Sequence, residues 1–321
     1  MNRRRNQLSQ KRQYLWAKNL LSSWLFGLVL ASTGHTQSIS IEGLIKPQQH
    51  QRAETQQHVL KVAVHKSKAL WQAATATQAC YEYQPPVQHN LTRGFLEVMI
   101  LCRALHTAGA EFKIEIVDTP SHARAIRMVE SGAADILGET TWLRNANPNE
   151  VLISSAVIRL GKLEKGLYTK AEHPAQQQVQ DAQSVQGLRG ITVDFWKTDR
   201  KALEDITPLS YSAAAFDNLH NMLVAGRADF TLFKFPQSQD LSIDIHGQRY
   251  LPLKGVKVQL MGTRHFLIDK QHLQAELILQ AINQGLEQLH QTMDVEDFIG
   301  SAPLWVRDWQ VLNNAFTESS K

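Results

Sequence analysis

LKVAV (60–64), FLEVMILCRAL (95–105) and FKIEIV (112–117) decide the fold class. The first and third segments alternate in the manner of strands, and the middle one repeats apolar residues at helical spacing. Strand, helix, strand is the unit of an α/β fold with a mainly parallel sheet, because parallel neighbours need a crossover connection. The theme returns further along, with ITV (191–193), a helix predicted over 213–224, and ADFTLF (228–233). A last helix is predicted over 271–289, with Leu273, Leu277, Ile278, Ala281, Ile282, Leu286 and Leu289 on one broad face. MVESGAADI (128–136) and MLVAGRADF (222–230) align residue for residue. Each copy reads as a helix end, a glycine (Gly132 or Gly226) able to turn through a left-handed conformation, and entry into a strand at Asp135 or Asp229. Two copies point to two similarly built lobes.

The chain has 321 residues, 43% hydrophobic and 20% charged, which is ordinary globular composition and excludes disordered or low-complexity classes. Its charge is unevenly placed. Six of the 34 Lys and Arg fall in residues 1–34, which hold no acid, so the remainder carries 28 basic against 30 acidic side chains. A phosphate-neutralising footprint has no support in that body, and no nucleic acid is expected as a partner. The cations precede a short apolar run, LLSSWLFGLVLA (20–31), and then STGHTQS, the pattern of a secretory signal peptide over 1–34, cleaved near 33–35. The run is too short to span a bilayer. A soluble periplasmic protein is expected, with a polar, Gln-rich arm over 35–58. Both cysteines, Cys80 and Cys102, lie in the exported part, where an even pair is most simply a disulfide; two buried thiols are the alternative.

No GxSxG elbow, phosphate-cradling Gly loop, GxGxxG or HExxH occurs. The 13 His are scattered without metal-ligand spacing and read as surface or singly bonded residues. No catalytic residue, cofactor or metal is expected. LKVAV, YQPP, Gly94–Phe95 opening a helix, SGAADI, TTWLR and GRADF, in this order, resemble the extracellular solute-binding proteins of family 3, the polar-amino-acid type of periplasmic binding protein, over about residues 59–300. The resemblance implies a two-lobed type II periplasmic-binding-protein fold, each lobe a mainly parallel sheet flanked by helices. Two crossing strands act as hinge, and a ligand is held in the cleft. Lobe 1 would comprise 59–160 plus 260–321, and lobe 2 would comprise 161–259.

The family's T-x-x-R motif maps onto Thr141 and Arg144, where the guanidinium grips a ligand carboxylate through paired donors. Tyr83 and Trp142 are candidate cleft walls. The family's Gly-Thr loop, which offers backbone N–H groups, corresponds to Lys197 and Thr198, with the Gly missing. Five residues after Asp229, where amino-acid binders carry an acid for the ligand ammonium, stands Lys234, and the FS-x-P-Y stretch is eroded to ISSAV (153–157). A cation there repels an ammonium and attracts an anion. The resemblance therefore implies a monomeric binding protein or binding-protein-like receptor for a small anionic, carboxylate-bearing solute, partnered by an inner-membrane ABC transporter or a sensor. Two alternatives stand: a dehydratase-like enzyme on the same scaffold, with Glu139 as its candidate acid or base, and a degenerate interaction module that binds no solute.

Overall fold

The computed structural model describes residues 58–86, 91–179, 181–300 and 302–313. The expected signal peptide, and all but the last residue of the expected arm, lie outside the described residues. Among the described residues no helix is long and apolar enough to cross a membrane.

The chain opens with β1 (His58–His65), α1 (Lys68–Thr75), α2 (Arg93–Thr107), β2 (Phe112–Thr119), α3 (His122–Glu130), β3 (Ile136–Leu137), β4 (Thr141–Trp142) and β5 (Val151–Ile153). It continues through β6 (Leu163–Lys170), α4 (Ala175–Gln178), α5 (Ala182–Val185), β7 (Gly190–Val193), α6 (Lys197–Glu204), β8 (Ser210–Ala213), α7 (Phe216–Val224), β9 (Phe230–Phe233), β10 (Ile243–Ile245) and β11 (Gln248–Leu260). It closes with β12 (Arg264–His265), β13 (Leu267–Asp269), α8 (Ala275–Thr292), α9 (Val295–Phe298) and β14 (Gln310–Val311). The architecture is α/β and two-lobed, built on two large sheets.

The first sheet runs β2-β1-β3-β13-β5. Its β1 lies parallel to β2 and β3, as the strand, helix, strand reading requires, and β13 joins antiparallel between β3 and β5. β1 is apolar at consecutive positions because it is covered on both faces: Leu60, Val62 and Val64 pack in the cluster that holds α2 and α8, while Ala63 packs with Ala125 and Val129 of α3. β2, at the edge, exposes Lys113 and Glu115 and turns Ile116 inward. The second sheet runs β10-β11-β6-β9-β7-β8, with β14 beside β11. Here β7 is parallel to β8 and β9, and β6 is antiparallel to β9 and β11.

The repeated junction is the same device in each sheet. Gly132 and Gly226 take φ of +70° and +67°, and the two following N–H groups return to Met128 O and to Met222 O respectively. Asp135 then accepts Lys61 N at 2.7 Å, and Asp229 accepts Arg189 N at 2.7 Å. Each carboxylate pins the start of a neighbouring strand.

Segments 154–162 and 261–266 pass between the sheets and pair with each other, through Val157 N to Arg264 O at 2.8 Å and Ser154 N to Phe266 O at 3.1 Å. The closing residues depart from the expected division, which gave all of 260–321 to the first lobe. β14 adds in parallel to β11 of the second sheet, where the buried Lys257 ammonium donates to Val306 O, Arg307 O and Glu164. The predicted terminal helix also starts later. Leu273 precedes α8 and is fully exposed, and Leu277 is exposed too, because the buried stripe runs through Ile278, Ile282, Gly285, Leu286 and Leu289. Likewise Ala213 ends β8 and α7 begins at Phe216, since residues 210–213 pair with β7.

Cys80 and Cys102 are bridged, with Cα atoms 6.1 Å apart. The bond ties the stretch before α2 to that helix, and Arg103 fastens the same stretch through Tyr83 O. Replacing both cysteines by serine should lower stability by roughly 3 kcal/mol in the chain-entropy picture, read by urea denaturation. Recovery of two separately alkylated thiols from oxidised protein would refute the bridge. At the contact of α2 with α8, a Cβ on Gly285 would lie 1.9 Å from Ala104 O. Gly285→Ala should therefore cost about 1 to 3 kcal/mol, although alanine is the better helix former; a stability gain in the same assay would show that the two helices are free to part.

Candidate functional site

Three helix starts meet at a cavity of about 650 Å³. Arg93 opens α2, Ser121, His122 and Ala123 open α3, and Trp196 to Asp199 open α6. The first two helices follow β1 and β2 of the first sheet, and α6 follows β7 of the second. The cavity therefore lies outside the carboxyl ends of parallel strands, where open α/β sheets place ligands. Thr92 and Ser121 cap α2 and α3 through their hydroxyls. α6 has no capping side chain at Trp196, and the acid of its first turn, Asp199, is taken by Lys165, so the start of the helix faces the cavity uncapped.

The basic side chains differ in how far they are neutralised. Arg93 is held by Glu97 at 3.3 Å and Glu139 at 3.1 Å; burial alone would lower its pKa, but the two carboxylates raise it above the ordinary value. Lys165 is paired with Asp199 and lies 5.3 Å from the centroid of the Trp196 ring. His122 faces Glu139 at 3.7 Å, yet burial, reinforced by Arg264 and Arg93, pushes its pKa down to about 4, so it is neutral near pH 7. Arg144 is exposed and donates to Thr198 Oγ1 at 2.9 Å, a single hydrogen bond that joins the first-sheet side of the cavity to the second. Lys197 lines the cavity and is exposed.

Of the residues expected at the site, Trp142, Arg144, Lys197 and Thr198 line one cavity. Three others do not. Thr141 is fully buried beneath Trp142 in β4, with its hydroxyl unpartnered. Tyr83 packs edge-on against Phe95, ring centroids 5.4 Å apart, as part of the wall behind α2. Lys234 leaves the cavity and donates to Ile299 O at 3.3 Å, beyond the end of α9; burial, with Arg93 adding, pushes its pKa down to about 8. The expected cation is there, but its amine serves a backbone carbonyl. Glu139, the candidate acid or base of the enzyme alternative, is likewise no lining residue, because Arg93 holds its carboxylate.

Arg93, His122, Lys165, Phe195, Trp196, Asp199 and Arg264 also line the cavity and were not foreseen. One signal was present. Arg93, His122 and Lys197 are each the first residue of a helix, the end where a basic side chain opposes the macrodipole. The expectation that every His is surface or singly bonded fails at His265. Its 8% exposure leaves both ring nitrogens bonded, to Ser154 O and Thr263 Oγ1 at 2.7 Å each. Among the described residues no group of three His, Cys, Asp or Glu could hold a metal ion.

No protein-family model matches the chain, and no curated protein matches it in sequence. Solved structures do resemble it. The chain is similar to the second substrate-binding domain of GlnP from Lactococcus lactis in its open conformation, at 15% identity and TM-score 0.48, over 77% of this chain and 95% of that one. It is similar to the probable amino-acid ABC transporter extracellular-binding protein ytmK of Bacillus subtilis, at 12% identity and TM-score 0.48, over 76% and 97%. A third similar structure is the GluR0 ligand-binding core in complex with L-glutamate, at 12% identity and TM-score 0.46, over 76% and 97%.

Proposed function

We propose that this protein is an exported binding protein that captures a small anionic, carboxylate-bearing solute between its two lobes. The observation that carries this reading is the pair Arg144 and Thr198. Drawn from opposite sheets, they already meet at 2.9 Å in one cavity, beside Lys197 and the uncapped start of α6. A carboxylate placed there would receive a guanidinium from one lobe and a hydroxyl with helix N–H groups from the other. Such a ligand favours the closed arrangement, because both halves of its shell exist only when the lobes are near. In this reading residues 59–160 with 260–300 move as one body and 161–259 with the closing strand as the other. Closure in the periplasm is read by an inner-membrane ABC transporter or a sensor. The binding reading is favoured over a dehydratase because Glu139 is tied up by Arg93 and stands off the cavity.

The test is a thermal-shift screen of the purified protein against mono- and dicarboxylates, sugar acids, inorganic phosphate and the common amino acids, followed by calorimetry of whatever binds. Carboxylates should raise the melting temperature. Arg144→Ala should weaken them by about 1.5 to 3 kcal/mol, the range for hydrogen bonds to charged groups. Lys234→Ala should leave affinity unchanged, since that amine bonds to Ile299 O. Tight binding of a neutral or cationic solute, indifferent to Arg144, would overturn the assignment.

His122 gives a pH signature. Its folded pKa of about 4 lies below the ordinary value of 6.5, so its contribution to stability is whole above pH 6.5 and is lost as the pH falls toward 4. His122→Gln should flatten the fall of melting temperature across that window. An unchanged slope would mean that the ring is solvated and titrates normally.

A further inference from the structure

Arg264 is the strangest charge in the cavity. It sits in the second crossing segment, is only 4% exposed and lines the cavity wall. Its Nε donates to Thr140 Oγ1 at 3.0 Å and one terminal nitrogen donates to Thr140 O, both neutral acceptors. Among the described residues no carboxylate lies within ion-pair distance of it, in contrast to Arg93 and Lys165. Its second terminal nitrogen, Nη1, donates to no described atom. A buried guanidinium costs several kcal/mol of desolvation unless a counter-charge is supplied. Trp142 shields one side: the Arg264 guanidinium carbon is 4.9 Å from the ring centroid, and that of Arg144 is 5.9 Å from the same ring. One indole therefore carries two arginines, both without an acidic partner, both at the cavity.

We infer that Arg264 is a second anion anchor, so that the preferred solute carries two anionic groups, one for Arg144 with the α6 start and one for the free Nη1 donors of Arg264. This rests on the anion-binding reading above and narrows its ligand class. Glu97 lies one residue further from the cavity, bound to Thr140; it orients Arg264 through that threonine and, like Glu139 and Asp199, acts on its charge only from beyond ion-pair distance. A monoanion would leave Arg264 uncompensated in the closed state, and a zwitterionic amino acid would bring an ammonium toward it. Selection for a dianion thus comes as much from penalising the wrong ligand as from rewarding the right one.

The experiment compares malonate, succinate, glutarate and phthalate with their monoamides, which keep shape and one carboxylate and lose the second charge. Binding is measured by calorimetry on the wild-type protein and on Arg144→Ala, Arg264→Gln and Arg264→Lys. The wild-type protein should bind at least one diacid ten-fold or more tighter than its monoamide. Arg264→Gln should bring that ratio close to one, by weakening the diacid and by relieving the penalty on the monoamide. If Arg264→Gln fails to fold, Arg264→Lys, which keeps the charge and loses the planar donor pair, should still lower the ratio several-fold. Equal affinity for diacid and monoamide in the wild-type protein, with both lost in Arg144→Ala, would overturn the second anchor and leave the anion-binding reading standing. A preference for the diacid that is undiminished in folded Arg264 variants would also overturn it. No binding by any member of either series would overturn both.

Discussion

A carboxylate with no access to water organises the floor of the cavity. Glu97, at 0% exposure inside α2, accepts from Thr140 N at 2.8 Å and Thr140 Oγ1 at 2.7 Å, and pairs with Arg93 one turn earlier. Thr140 in turn receives Arg264 from the crossing segment. One buried carboxyl group thereby fixes the start of a helix, the link between β3 and β4, and a strand that leads into the other lobe. Removing one member of such a buried network leaves the others unpaired, which costs more than the single hydrogen bond suggests. The positions of Trp142 and Arg144, two and four residues beyond Thr140, follow from this anchorage.

The same network sets the electrostatics of the cavity. The acids Glu97, Glu139 and Asp199 are each engaged by a cation of the protein, whereas Arg144, Lys197 and Arg264 have no acid among the described residues. His122 adds nothing, because burial, reinforced by Arg264 and Arg93, keeps it neutral. A cation as the first residue of α2 and of α6 opposes the macrodipole, at a cost of a few tenths of a kcal/mol to about 1 kcal/mol at each. Local stability is surrendered where the cavity gathers positive potential, a conflict between local and tertiary levels.

Much of the fold could be read from the chain because it rests on short-range patterns. β1, β2 and α2 appear within two residues of the segments that announced them, and the echo at Gly132 and Gly226 proved to be one structural device used twice. What failed was tertiary in origin. Leu277 looks like a core residue by spacing, but the side of α8 that meets α2 is chosen by Gly285, whose missing Cβ admits the backbone of Ala104. Around the cavity, the arginine after β4 and the pair at the start of α6 could be picked out because they sit in short local motifs. Arg264 was not, since it acquires meaning only when a crossing strand brings it beside Trp142, far away in sequence. Lys234 shows the limit of a motif read along the chain: its side chain turns from the cavity to the carbonyl of Ile299.

The parallel strand β14 has a consequence for how the molecule can be watched. The described chain enters through β1 in the middle of the first sheet and leaves beside β11 in the second, held there by Lys257 and by the paired bonds of Asn313 with Gln259. The first and last described strands are thus fastened to different sheets. Dyes attached at the exposed His58 and Gln310 would act as a molecular calliper, and energy transfer between them would convert any change in the angle between the sheets into an optical signal without a label inside the cavity.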